Sequence, residues 1–201
     1  MERLVELARK CVEIVGKYGC ASLNLILHEL ANLQLVNPKS DRSDVMLVLR
    51  ALVLAGVLEE RKYLDTAHFF CLPGCNKLPP ELEDVLNAIA ALVNEAKSPL
   101  IGLSAHAVVK KMRNMARKVN IEPSSQLVVF VLEYLYRHAG VSKQTKRRGK
   151  VYIYTCADLA AAITRLLDGR VEPKQLIKQF RPIWITKELT QLAEKFKKLF
   201  T

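Results

Sequence analysis

Five cations stand close together at Lys110, Lys111, Arg113, Arg117 and Lys118, and five more crowd positions 141 to 150, as Lys143, Lys146, Arg147, Arg148 and Lys150. Ammonium and guanidinium groups at this density suit phosphate oxygens, to which they give short, charge-assisted hydrogen bonds. Between residues 104 and 150 eleven Lys and Arg meet only two acids, Glu122 and Glu133. A solvated helix face usually mixes both signs, so the imbalance favours a polyanion as partner over solubility alone. Phosphate contacts supply affinity and orientation but carry no base information. Six of them on a duplex would make log affinity fall with log salt at a slope of about −5.

Other chemistries lack their residues. Gly149-Lys150 has neither the upstream glycine nor the following Ser or Thr of a phosphate-binding loop, and His28-Glu29 has no second His one turn on. The four histidines are scattered, and Asp and Glu do not gather where paired carboxylates would hold Mg²⁺. No His near Cys156 in sequence marks it as a nucleophile. The expectation is therefore a non-enzyme with no catalytic residue, no metal site and no cofactor. The cysteines Cys11, Cys20, Cys71, Cys75 and Cys156 form an odd set without zinc-knuckle spacing. Buried single thiols are the main expectation. A Cys71–Cys75 disulfide across the turn in "CLPGC", or half a metal site there, remains open.

The elements that must position these side chains follow from periodicity. Leu4, Leu7, Ala8, Cys11, Val12 and Val15 recur at three and four, which predicts a helix over 2–17. A second helix is expected over 22–33, and a third from Ser43, which can cap it, to Gly56. "VLEERKYLDTAHFFCLP" then reads as a hairpin turning at Asp65 and Thr66. The order starts again at Pro79. Helices are expected over 80–96, 104–119 and 124–138, the last stopping at Gly140, then a hairpin turning at Arg148 and Gly149, and a helix over 157–167. The helix over 104–119 would place Lys110, Arg113 and Arg117 on one face. Half of the residues are hydrophobic, enough for real cores, and the apolar runs stop short of the roughly 20 residues that span a bilayer. "MERLVELARK" shows no leader pattern, so an intracellular place is expected, cytoplasmic or nucleoid-associated, with no membrane insertion.

Three helices followed by a two-stranded hairpin is the order of the winged helix, a helix-turn-helix variant, and both halves resemble that superfamily. "VMLVLRALVLAGVLEERKY" looks like its third helix, glycine stop and first wing strand, and Gly56-Val57 lines up with Gly140-Val141. The fold class expected is mainly α: tandem winged-helix domains over 1–78 and 79–168, with a C-terminal linker and amphipathic helix over 169–201. In that superfamily the third helix commonly enters the major groove while the wing touches flanking backbone. The resemblance thus implies Ser124, Ser125 and Gln126 at the start of the third helix, and Lys143, Lys146, Arg147, Arg148 and Lys150 on the wing, as contacts to nucleic acid. Tyr152 and Tyr154 alternate with Ile153, so one strand face can be aromatic while the other packs inward, and Tyr152 joins the expected nucleic-acid contacts.

Charge separates the halves. Residues 79 to 201 hold 21 Lys and Arg against 11 Asp and Glu, while residues 1 to 78 hold 10 against 9. The basic half is expected to bind DNA or RNA with low sequence specificity, in transcription regulation or chromosome organisation and replication. Gln126 is nearly the only base reader near the start of its third helix. The balanced first half is expected to contact a protein partner or its own copy. The stripe Leu189, Leu192, Phe196 and Leu199 on the C-terminal helix can pack back on its own body, the plainer expectation, and its sharper reading is a dimer or partner contact. A scaffold joining proteins through winged-helix domains, without touching DNA, is the alternative function.

Overall fold

The computed structural model describes residues 2–63, 67–98, 101–146, 151–167, 178–179 and 186–200. The chain is mainly helical, with small antiparallel sheets, and divides into two compact units. Unit 1 comprises Met1–Tyr63, His68–Pro80 and Lys178–Thr201, and unit 2 comprises Leu64–Ala67 and Glu81–Ile177.

In unit 1, α1 (Glu2–Tyr18) buries Leu7, Ala8, Cys11, Ile14 and Val15 along one stripe. It ends because Gly19 takes a φ of +79°, a left-handed conformation that costs glycine little, with its N–H on the Val15 carbonyl. Three residues of strand β1 (Cys20–Ser22) follow, and the Ser22 hydroxyl then accepts from the Leu25 N–H at 3.1 Å to cap α2 (Leu23–Asn32). The third helix, α3 (Arg42–Leu54), starts one residue before Ser43. Asp41 precedes it, and its carboxylate is engaged by Arg3 and the Asn37 N–H instead of capping the helix. A hairpin of β2 (Glu59–Tyr63) and β3 (Ala67–Cys71) closes the set.

Strand β1 pairs with β3 so that Cys20 faces Cys71, and the two are joined by a disulfide. Cys71 is therefore bonded to a residue 51 positions away, and Cys75 is a free thiol, as are the buried Cys11 and Cys156. Proximity in sequence pointed to Cys75. Strand register, which sets residues directly opposite one another, selected Cys20 instead.

The C-terminal helix α8 (Lys187–Phe200) is capped by Thr186, whose Oγ1 accepts from the Leu189 N–H at 3.2 Å. It lies against α3 as part of unit 1. Leu189, Leu192 and Phe196 are buried there, Phe196 completely. This corrects the expectation of an outlying arm whose Leu189, Leu192, Phe196 and Leu199 meet a second chain. Leu189, Leu192 and Phe196 are core of their own unit while Leu199 is only half-buried, and burying each of the three large side chains is worth about 1.5–3 kcal/mol. Strand β7 (Lys178–Gln179) also returns to unit 1 and pairs with β2, giving a sheet in the order β1-β3-β2-β7. "FRPIWI", with Trp184, lies outside the described residues.

Unit 2 repeats the sequence of elements: α4 (Pro80–Glu95), β4 (Gly102–Leu103), α5 (Ala105–Arg113), α6 (Ser125–His138), β5 (Lys143–Lys146), β6 (Val151–Thr155) and α7 (Cys156–Leu167). The parallel extends to details. A short strand after the first helix again pairs with the second hairpin strand, giving the order β4-β6-β5. A serine again caps the next helix, Ser104 following that strand directly and accepting from the Ala107 N–H at 3.2 Å. Gly56 and Gly140 follow the two third helices with positive φ angles of 77° and 72°. Gly102 has a separate reason to lack a side chain, because a Cβ there would come within 1.7 Å of Ile153 Cγ2.

Candidate nucleic-acid interface

Helix α5 stops at Arg113, with Asn114 as its C-cap, six residues short of the expected end. Arg117 and Lys118 thus leave the helix, and no shared helical face joins Lys110, Arg113 and Arg117. The cause sits on α4. The Asp84 carboxylate, 2% exposed, accepts from the Lys118 N–H at 2.8 Å and the Val119 N–H at 3.3 Å, capturing backbone donors that a longer helix would use internally. Arg117 donates to the Ile121 carbonyl and secures the same loop.

The cations here are mostly paired. Lys111 meets Glu95, Lys118 meets Glu83, and Arg113 Nε donates to Glu122 Oε1 at 2.8 Å. Two of these acids come from α4, so a count confined to residues 104–150 missed them. Lys110 is exposed and has no ion pair among the described residues. Exposed pairs are worth only about 0–1 kcal/mol, which leaves Arg113 and Lys118, each more than half exposed, able to exchange a carboxylate for a phosphate. The Arg113–Glu122 pair also holds one cation just before the N-terminus of α6.

At that N-terminus Ser124 caps the helix, its Oγ accepting from the Leu127 N–H at 3.2 Å, so this hydroxyl oxygen is engaged within the fold. Ser125 and Gln126 are exposed. Along α6, Val128, Val131, Leu132, Tyr134 and Leu135 are buried, whereas Val129 and Tyr136 lie open to solvent at 40% and 44% exposure. The third helix is thus less completely buried than its apolar sequence suggests. What it shows outward is a valine and a tyrosine, with Arg137 also exposed, instead of a set of base-reading amides.

The hairpin is fastened to α6 by one carboxylate. Glu133 Oε1 accepts from Lys143 Nζ at 2.6 Å and from the Tyr154 hydroxyl at 2.5 Å. Burial alone would raise the Glu133 pKa. The hydrogen bonds from Lys143 and Tyr154 and the charges of Lys143 and Arg137 outweigh it, so the carboxyl lies below its ordinary range. Tyr154 is pushed far upward by burial and by Glu133. Asp158 on α7 holds the start of the hairpin by accepting from the Ser142 N–H at 2.8 Å, and the Ser142 hydroxyl first, with this N–H second, lowers its pKa.

Strand alternation places Tyr152 and Tyr154 on one face, yet their surroundings differ. Tyr154 is 2% exposed at the base of the hairpin, and Tyr152, nearer the tip, is 47% exposed. Lys143 Nζ stands 3.8 Å from the Tyr152 ring centroid and 5.1 Å from that of Tyr136. The structure therefore brings Tyr136, Lys143 and Tyr152 together, with Tyr136 absent from the sequence-based site. The apolar run around it carried no signal for this, since the open face of α6 is set by what packs on the other one. Lys146 ends β5, with only its backbone described, and Arg147, Arg148 and Lys150 lie outside the described residues.

The unit 1 hairpin neutralises itself. Arg61 pairs with Glu59 at 2.6 Å, and buried Glu60 lies 2.8 Å from His68 Nδ1. Among the described residues no group of His, Cys, Asp and Glu could hold a metal, and no helix is long and apolar enough to cross a membrane. Burial pushes the Cys156 thiol pKa upward, away from a reactive thiolate. Compared with protein-family models, with curated proteins and with solved structures, the chain matches none.

Proposed function

We propose that the chain is a tandem winged-helix protein of non-catalytic type, acting inside the cell in the cytoplasm or on the nucleoid. Unit 2 is the nucleic-acid-binding domain, and it takes duplex DNA with little sequence preference in transcription regulation or chromosome organisation and replication. The observation that carries this reading is the anchoring of β5 on α6 through Lys143, Glu133 and Tyr154. That anchor sets the start of the most basic segment in the chain, Lys143 to Lys150, beside the outward face of the third helix. Lys110, Arg113, Lys118 and Arg137 supply further exposed cations for phosphate. Low specificity follows from α6 itself, where Gln126 is nearly the sole base-reading side chain and Val129 offers only an apolar contact of the kind a thymine methyl accepts.

The test is affinity for several unrelated duplexes of equal length, for the native chain and for K146A/R147A/R148A/K150A. Similar affinity for all duplexes, weakened in the variant, is the expected result. Strong preference for one sequence would overturn the low specificity, and equal affinity of variant and native chain would remove the wing from the interface. A scaffold that joins proteins is the second reading, favoured by the exposed Val129 and Tyr136 and by the near balance of charge over residues 1 to 78. Absence of duplex affinity together with a purified protein complex that loads α6 would select it.

A further inference from the structure

Tyr136 on α6 and Tyr152 on β6 are both close to half exposed and share one cation, Lys143. Most exposed aromatics are singletons, but these two come from different elements and are held by a common network rooted in Glu133. Lys143 covers one face of Tyr152 at 3.8 Å, an arrangement that fixes the ring while 47% of the residue stays open. A rigid, open ring is a stacking surface for a flat partner, and the charge around it says which. The strand leads directly into Lys146, Arg147, Arg148 and Lys150, and Arg137 follows Tyr136. A protein-binding centre is depleted in charge, whereas single-stranded nucleic acid is bound by aromatic rings set along a positive groove.

Duplex bases cannot use these rings, because each is already stacked on its neighbours 3.4 Å away. Two open rings from different elements, their centroids 3.8 and 5.1 Å from the same ammonium nitrogen, suit bases that are free of stacked neighbours, as in an unpaired strand.

We propose that Tyr136 and Tyr152 form a two-ring platform on which unpaired bases of single-stranded nucleic acid stack, with the phosphates meeting Lys143 and the exposed Arg137 beside them. This rests on the nucleic-acid reading of unit 2 and extends it from backbone contact to recognition of unpaired strands. Specificity for base identity is not expected, since every base offers a π face.

The experiment measures anisotropy of a labelled 15-nucleotide oligo(dT) strand and of a 15-base-pair duplex, using the full chain, Y136A/Y152A and Y136F/Y152F. Expected is a loss of about tenfold or more in single-strand affinity for the alanine variant, near-native affinity for the phenylalanine variant, and duplex affinity within about twofold throughout. Native thermal unfolding of each variant is checked, which the exposure of both rings favours. Unchanged oligo(dT) affinity in Y136A/Y152A, with duplex binding intact, would overturn the platform alone. An equal loss on strand and duplex would also overturn it, by showing a general effect on the surface. Failure of the native chain to bind either probe would overturn both the platform and the nucleic-acid reading, and would turn the tyrosines toward a protein contact.

Discussion

Breaking the Cys20–Cys71 bridge should cost unit 1 a large share of its stability. The bridge closes 51 positions of chain, from the strand after α1 to the second strand of the hairpin, and so encloses α2, α3 and β2. The chain-entropy relation for a loop of that length gives about 4 kcal/mol at 25 °C, lost mainly because the unfolded chain regains freedom. For a unit of this size 1 kcal/mol moves the melting temperature by roughly 4–8 °C, so a downward shift of about 15–30 °C is expected. Both sulfurs are fully buried, which means that Cys20→Ala with Cys71→Ala avoids placing hydroxyl groups in the core. Circular-dichroism melts should compare this variant, the oxidised chain, and the chain reduced while unfolded and then refolded with reductant present. Thiol titration of the unfolded, unreduced protein should find three reactive groups, Cys11, Cys75 and Cys156, and five after reduction. Five thiols before reduction, or a melting temperature that moves by only a few degrees on reduction, would refute the reasoning. Cys20 and Cys71 would then be unbonded core thiols, with β1–β3 pairing sufficient without them.

Phe196→Ala should destabilise unit 1 by about 3–5 kcal/mol in chemical denaturation without changing the sedimentation coefficient of the folded protein. A change of oligomeric state with little loss of stability would restore α8 to an intermolecular role. Acidification should loosen the unit 2 hairpin. Glu133 has a folded pKa below its ordinary value of 4.5, so its contribution is present above that value and is lost as pH falls through the lower folded one. Melts taken from pH 7 downward should therefore show Glu133→Gln less stable than the native chain at neutral pH, with the gap narrowing as pH falls below 4.5. A gap that does not narrow on acidification would contradict this. The triple change E83Q/E95Q/E122Q frees Lys118, Lys111 and Arg113 from their partners and should strengthen duplex binding several-fold at low salt. Unaltered affinity would place those cations away from the ligand.

Much of the fold was legible because helices announce themselves over many residues. The apolar stripe of α1, the glycines after α3 and α6, and the two hairpins could all be read from period and punctuation. Strands β1 and β4 could not, being three and two residues long, too short to show alternation. Their function is expressed only in partners found far along the chain, Cys71 for Cys20 and Thr155 for Gly102. The early end of α5 had the same kind of cause. Nothing local in "RNMARKVN" forbids another turn, and the decisive group is Asp84, 34 residues upstream of Lys118. Charge density was legible at the site, but its neutralisation was not, because Glu83 and Glu95 reach the basic loop and helix from α4. Tyr136 was hidden by its own sequence, since an apolar run does not reveal which face of a helix its neighbours leave open.

The most direct test of nucleic-acid binding by unit 2 is the dependence of duplex affinity on salt. If about five cations from the hairpin and the α5–α6 region meet phosphate, log affinity should fall with log salt at a slope of about −4 to −5, and K146A/R147A/R148A/K150A should flatten it by about 3. No measurable duplex affinity at low salt, or a slope that the four substitutions leave unchanged, would contradict a phosphate-binding hairpin.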